Sequence, residues 1–244
     1  MSSQSFKTKF GPEELEFVIG KVAQKAKASV LAKLGQTVVL VTLVFSEEPK
    51  EDVDFFPLTV EFEERWYASG KISHSRFVKR ENRPSENAIL AARMIDRSLR
   101  PLFDSNLRHE VQIIATVLSA DLKNDPDILA INAASLAAML SGLPFSGPVA
   151  AVRMGYDKKQ FQFNPSLNFL EEKSALDLVV ASTEKSIIML EGKIAELAED
   201  ELLTAINQAQ KNLKAVLKLQ KEIAKKFAPT EKIEMTENQE LKEQ

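Results

Sequence analysis

The chain has 244 residues, 44% of them hydrophobic, two histidines, no cysteine and a formal net charge of −3, enough for one large or two small domains with a sizeable core. The lack of cysteine excludes disulfides, thiolate metal sites and a cysteine nucleophile. No apolar run approaches the roughly 18–20 residues of a membrane span, and the opening MSSQSFKTKFG lacks the apolar core of a signal peptide, so a cytoplasmic protein with no membrane partner is expected.

Taken in order, residues 6–10 and 15–22 read as strands flanking the turn signal Gly11-Pro12. Residues 29–34 and 37–45 flank Gly35-Gln36, a two-residue hairpin connection. The run 37–45 is continuously apolar and β-branched, as in a strand covered on both faces. Residues 47–54 form a polar, acidic loop. In 58–64, Leu58, Val60 and Phe62 alternate with Thr59, Glu61 and Glu63, the pattern of a half-buried strand. Residues 68–82 have no periodicity and read as a long loop. Pro84 and Glu86 are helix-start signals, and Pro101 ends a helix reaching about Arg100. Residues 111–118 are a further buried strand. Asp125-Pro126 opens a second helix, rich in small residues, that closes at Gly142.

Hairpins follow over 148–154 with 160–163, and over 176–181 with 186–190. From residue 194 the pattern becomes helical: Leu202, Ile206, Ala209, Leu213, Val216 and Ile223 make one apolar seam on a charged rod. The expected organisation is an α+β domain over 1–191, a mixed sheet with two packed helices, then a helical appendage over 192–229 and a disordered tail or linker over 230–244.

Charge is distributed unevenly. From Arg65 to Arg108 there are ten Lys and Arg against four acids, a local +6 on an acidic chain, the footprint of a polyanion site. Within it, Arg76, Phe77, Lys79, Arg80 and Arg83 surround one aromatic with cations in a loop. Single-stranded RNA is held by this combination, cations tracking phosphates and an aromatic stacking a base; the alternative is a solvated basic loop. Arg93, Arg97 and Arg100 fall on one helical stripe, either a ligand contact or ordinary surface ion pairs with Asp96 and other acids. His74, beside Ser73 and Ser75, lacks the geometry of a nucleophile and base, whose partners converge from distant segments. His109 reads as structural.

Two negatives weigh against local phosphoryl chemistry. The second helix starts Asp125-Pro126-Asp127, carboxylates where a phosphate would sit. Magnesium-assisted chemistry needs convergent carboxylates, yet residues 161–170 contain no acid and Asp177 stands alone between leucines. No catalytic residue and no metal ligand is expected in this chain.

The motifs FFPLTV (55–60), YASGKI (67–72), KRENRPSE (79–86), RMIDRSLRPLF (93–103), VQIIATV (111–117), NDPD (124–127), SGLPFSGP (141–148), RMGY (153–156), Asn164-Pro165 and LDLVVA (176–181) closely resemble the first RNase PH domain, and the start of the following helical domain, of bacterial polynucleotide phosphorylases. The resemblance covers residues 6 to 205. It implies a ring of six RNase PH folds in a homotrimer that degrades RNA from the 3′ end. Inorganic phosphate acts as co-substrate and releases nucleoside diphosphates, and the reverse reaction polymerises them. The family's Mg²⁺ and phosphate sites lie in its second RNase PH domain, so the resemblance implies that this chain alone is inactive. The partners implied are single-stranded RNA, a homotrimer or the missing catalytic half, and a degradosome-type assembly in messenger RNA degradation. By position, Phe77, Val78, Lys79 and Arg80 match the channel loop, whose family pattern is two Phe and two Arg; Val78 and Lys79 depart from it. Two other readings are a stand-alone, non-catalytic RNase PH-type ring subunit and a single-stranded RNA-binding module.

Overall fold

The computed structural model describes residues 3–51, 53–72, 83–157, 160–227 and 233. The expected channel-loop residues Arg76, Phe77, Lys79 and Arg80, together with His74, lie outside the described residues, as does the 230–244 tail apart from Ile233. Among the described residues no helix is long and apolar enough to cross a membrane.

Strands β1 (Gln4–Phe10), β2 (Glu13–Ile19), β3 (Ala28–Leu34), β4 (Thr37–Phe45), β5 (Leu58–Glu64) and β6 (Val111–Ser119) form a six-stranded sheet in the order β1-β2-β3-β4-β6-β5. All neighbours are antiparallel except β5 and β6, which run parallel. The β2 strand stops at Ile19, short of the 22 expected, because Gly20 takes a positive φ and turns the chain. The second hairpin turns at Gly35 (φ +58°), where an added Cβ would lie 2.6 Å from Asn124 Nδ2 and 2.8 Å from Asp121 Oδ2. Only glycine fits that turn.

The expected single mixed sheet is two sheets. Strands β7 (Ala150–Asp157), β8 (Gln160–Phe163), β9 (Leu176–Ser182) and β10 (Ile187–Ile194) make a separate antiparallel sheet in the order β10-β9-β7-β8. Helix α1 (Glu86–Leu99) packs on β5, and α2 (Pro126–Leu140) lies against β3, β4, β6 and β7. Nearly every residue of α2 is buried, as expected of a helix that is apolar all round. Its small residues let both sheets approach it. Its buried polar groups are paired: Asn132 Nδ2 donates to Ala151 O at 2.9 Å, and its Oδ1 accepts from Ala151 N at 3.0 Å. A six-residue helix, α3 (Leu167–Glu172), was too short for periodicity to reveal; Ser166 caps it.

Helix α4 (Glu199–Lys226) is not an appendage. It packs against β1, β7, β9 and α2, with Ala209, Leu213, Val216 and Ile223 of the expected seam fully buried. Gln220 is buried as well: it accepts from Ser135 Oγ of α2 at 2.8 Å and donates to Val149 O at 3.2 Å. Ile233 docks back on the body, its amide donating to Gly142 O at 3.1 Å.

Candidate nucleic-acid interface

A cleft of about 1120 Å³ runs between the edge strand β5 and the exposed side of α1. All seven residues of β5 line it, as do Arg65, Trp66, Ser69 and Lys71 beyond the strand and Arg83, Pro84 and Ser85 before the helix. Parallel pairing to β6 leaves the other edge of β5 open, and α1 is held beside it by its cap. Ser85 Oγ accepts from Ala88 N at 3.0 Å and donates to Glu64 Oε2 at 2.6 Å. The cleft thus sits at the two roots of residues 73–82, the segment that carries most of the basic loop.

The arginine stripe divides into different roles. Arg100 grips Asp96 with two donors (2.6 and 3.0 Å), donates to Phe56 O and Leu58 O (3.0 and 3.1 Å), and lies 5.7 Å from the Phe56 ring centroid. It therefore ties α1 to the chain entering β5. Arg97 pairs with Glu191 of β10 across the surface. Arg93 lines the cleft, and among the described residues no carboxylate lies within ion-pair distance of it, nor of Lys71 or Arg83. Of the β5 carboxylates, Glu63 is engaged by Arg65 (2.6 Å) and Thr116 (2.9 Å), and Glu64 by Ser85. Among the described residues Glu61, which also lines the cleft, is met only by Gln112 Nε2 at 3.5 Å, and Glu64 only by a neutral hydroxyl, so the cations Lys71, Arg83 and Arg93 outnumber the uncompensated carboxylates of the lining by one. His109 has the structural role expected of it: Nδ1 lies 2.8 Å from Ser46 O and the ring packs edge-on to Phe45.

The two negatives change form. Asp177 is alone in sequence but not in space. Arg153 of β7 donates to both its carboxylate oxygens (Nε and Nη2, each 2.7 Å) and, through Nη1, to Asp125. Burial works against the guanidinium's charge, but hydrogen bonding to Asp177 and the field of both carboxylates outweigh it and raise its pKa. Asp125 also caps α2, accepting from Asp127 N at 2.9 Å. Asp127 is pushed well above the usual carboxylate range by burial and then by Asp125, with Arg153 opposing and Glu64 adding to the rise. The start of α2 is the capped helix end expected, with the further finding that one carboxylate is paired with arginine and its neighbour is driven toward its protonated form. Magnesium does not fit here: a guanidinium occupies the space between the carboxylates, and among the described residues no group of three or more His, Asp or Glu side chains could hold a metal.

A buried helix clasped between a six-stranded and a four-stranded sheet, with a basic cleft along an edge strand, defines an RNase PH-type fold. Residues 13–144 match the model of the 3′ exoribonuclease family, domain 1, and residues 147–212 match its domain 2; the chain belongs to that family. The second match continues into α4, in keeping with the packing of that helix. Curated proteins named polyribonucleotide nucleotidyltransferase are similar. That of Dictyoglomus thermophilum is 50% identical over 225 residues, 92% of this chain and 32% of the relative. That of Thermus thermophilus is 54% identical over 209 residues, 86% of this chain and 29% of the relative. The chain therefore spans about a third of the length of the relatives it matches. The crystal structure of rice (Oryza sativa) Rrp46 superposes with a TM-score of 0.71 at 12% identity, covering 89% of this chain and 96% of that one, a likeness of fold.

Proposed function

We propose that this chain is the RNA-gripping, ring-forming and non-catalytic RNase PH portion of a cytoplasmic, phosphate-dependent 3′-to-5′ exoribonuclease that also runs in the polymerising direction. The observation that carries the reading is the cleft at the root of the basic loop, where Lys71, Arg83 and Arg93 keep their charge for a polyanion. Arg76, Phe77, Lys79 and Arg80, which follow Lys71 and precede Arg83 in the sequence, are assigned to the same RNA path. Arg97 contributes at its margin, and Arg100 chiefly by fixing the cleft wall. Inorganic phosphate and Mg²⁺ serve a catalytic half outside this chain, with which, or in a homotrimer, it would close a ring; a degradosome-type assembly is the larger setting.

The test is the salt dependence of single-stranded RNA binding. Each phosphate contact contributes about −0.7 to the slope of log K against log salt. Replacing Arg83 and Arg93 together by alanine is expected to flatten the slope by about 1.4 and to weaken binding to all sequences alike. An unchanged slope would remove the cleft from the RNA path.

A further inference from the structure

We infer that Trp66 is a base-stacking platform at the mouth of this cleft, a role that rests on the RNA-binding reading and refines it. Trp66 is the only tryptophan in the chain; it lines the cleft with 48% of its surface exposed. A lone exposed apolar residue is ordinary on a protein surface. This one stands on a turn fixed by hydrogen bonds, in a cleft whose lining also carries Lys71, Arg83 and Arg93.

The indole stands on a single 3-10 turn, Trp66–Ser69, directly after the edge strand. Ala68 N donates to Arg65 O (2.9 Å), Gly70 N to Tyr67 O (3.0 Å) and Lys71 N to Trp66 O (3.1 Å). Ser69 Oγ also donates to Trp66 O (3.1 Å), and Gly70 closes the turn with φ 73°. Ala120 N, just beyond β6, donates to Ala68 O (2.9 Å) and ties the turn to the sheet. The backbone beneath the ring is thus fixed before any ligand arrives, which lowers the entropy lost on stacking. Lys71, Arg83 and Arg93 line the same cleft, so a chain whose phosphates follow these cations passes the indole. Cations along a track with an aromatic face beside it are the two parts of a sequence-tolerant single-strand site. A protein partner would use the apolar ring but would leave three cations facing it without acceptors.

The experiment uses the full chain and a short labelled oligoadenylate, read by anisotropy and by the emission of the sole indole. RNA is expected to quench that emission on the isotherm that anisotropy reports. Trp66→Ala should weaken binding about 5- to 150-fold, the span for losing one stacked base, with Trp66→Phe recovering part of the loss. Inorganic polyphosphate should compete with the RNA without quenching. RNA that binds with no quenching, and with an affinity indifferent to Trp66→Ala, overturns the platform while leaving the RNA reading intact. Absence of any RNA binding overturns both. Quenching by polyphosphate, or a concentration-dependent blue shift without RNA that marks a protein covering the ring, overturns the platform as well.

Discussion

Asp121 and Asp127 show how strongly environment governs one side-chain type. Burial alone would raise the pKa of Asp121, but its carboxylate accepts from the amides of Asn124 (2.8 Å), Lys123 (2.8 Å) and Gln36 (3.1 Å) and from Asn124 Nδ2 (2.8 Å), and the net shift is well down. Asp127 has burial and neighbouring acids without such donors and shifts up. The two signs give opposite pH profiles. A lowered folded pKa means that Asp121 contributes stability above the unfolded carboxylate value of about 3.9, lost as pH falls. A raised folded pKa means that Asp127, ionised in the unfolded chain, costs stability above that value, and the cost disappears as pH falls below it. Asp121→Asn is thus expected to lower the melting temperature at neutral pH, and Asp127→Asn to raise it. Melts from neutral pH down to about pH 3 should bring the Asp127→Asn variant onto wild type, whereas the Asp121→Asn offset should persist at about pH 3, because its folded pKa lies well below that; the reverse pattern would contradict the assignment.

At the level of elements, α4 is the one whose role its own sequence misstates. A charged helix with a narrow apolar seam suits either a free rod or a helix docked on a body, since the seam records only that something covers it. In the structure the sheet strands β1, β7 and β9 cover it, and Gln220, polar and therefore outside the seam, bridges α2 and the start of β7. Leu213→Ala, at a fully buried position, is expected to cost about 2–5 kcal/mol and to lower one cooperative transition followed by both far-ultraviolet circular dichroism and hydrogen exchange of the sheet amides. Loss of helical signal alone, with the sheets melting as before, would return α4 to the status of an appendage.

For the whole molecule, the proposed function separates holding RNA, assigned to this chain, from acting on it. The cleft offers unpaired cations, whereas the carboxylates nearest to a metal-binding arrangement hold Arg153 instead. The chain alone is accordingly expected to release no nucleoside diphosphate from polyadenylate with phosphate and Mg²⁺ present, while still binding the polymer. Phosphate-dependent release at a rate unchanged by Asp177→Asn would place chemistry somewhere in this chain that its described residues do not reveal.

The sequence by itself determined strands β1 to β10 and the longer helices α1, α2 and α4 in order, the buried character of α2 and the basic stretch of residues 65–108. Each of these is written in local periodicity, capping residues or charge, which act between neighbours along the chain. The split into two sheets, the docking of α4 and the roles within the arginine stripe were decided only by tertiary structure. Arg97 and Arg100 share one stripe, yet their partners lie 94 and up to 44 residues away. The same holds for the second negative: Asp125 and Asp177 meet only because Arg153 reaches both, across separations of 28 and 24 residues. Such convergence has no local signature, because the free energy that selects it comes from burying the core as a whole. Trp66 falls between the two cases. Its presence could be read from the chain, but the fixed turn that sets it in the same cleft as Lys71, Arg83 and Arg93 could not.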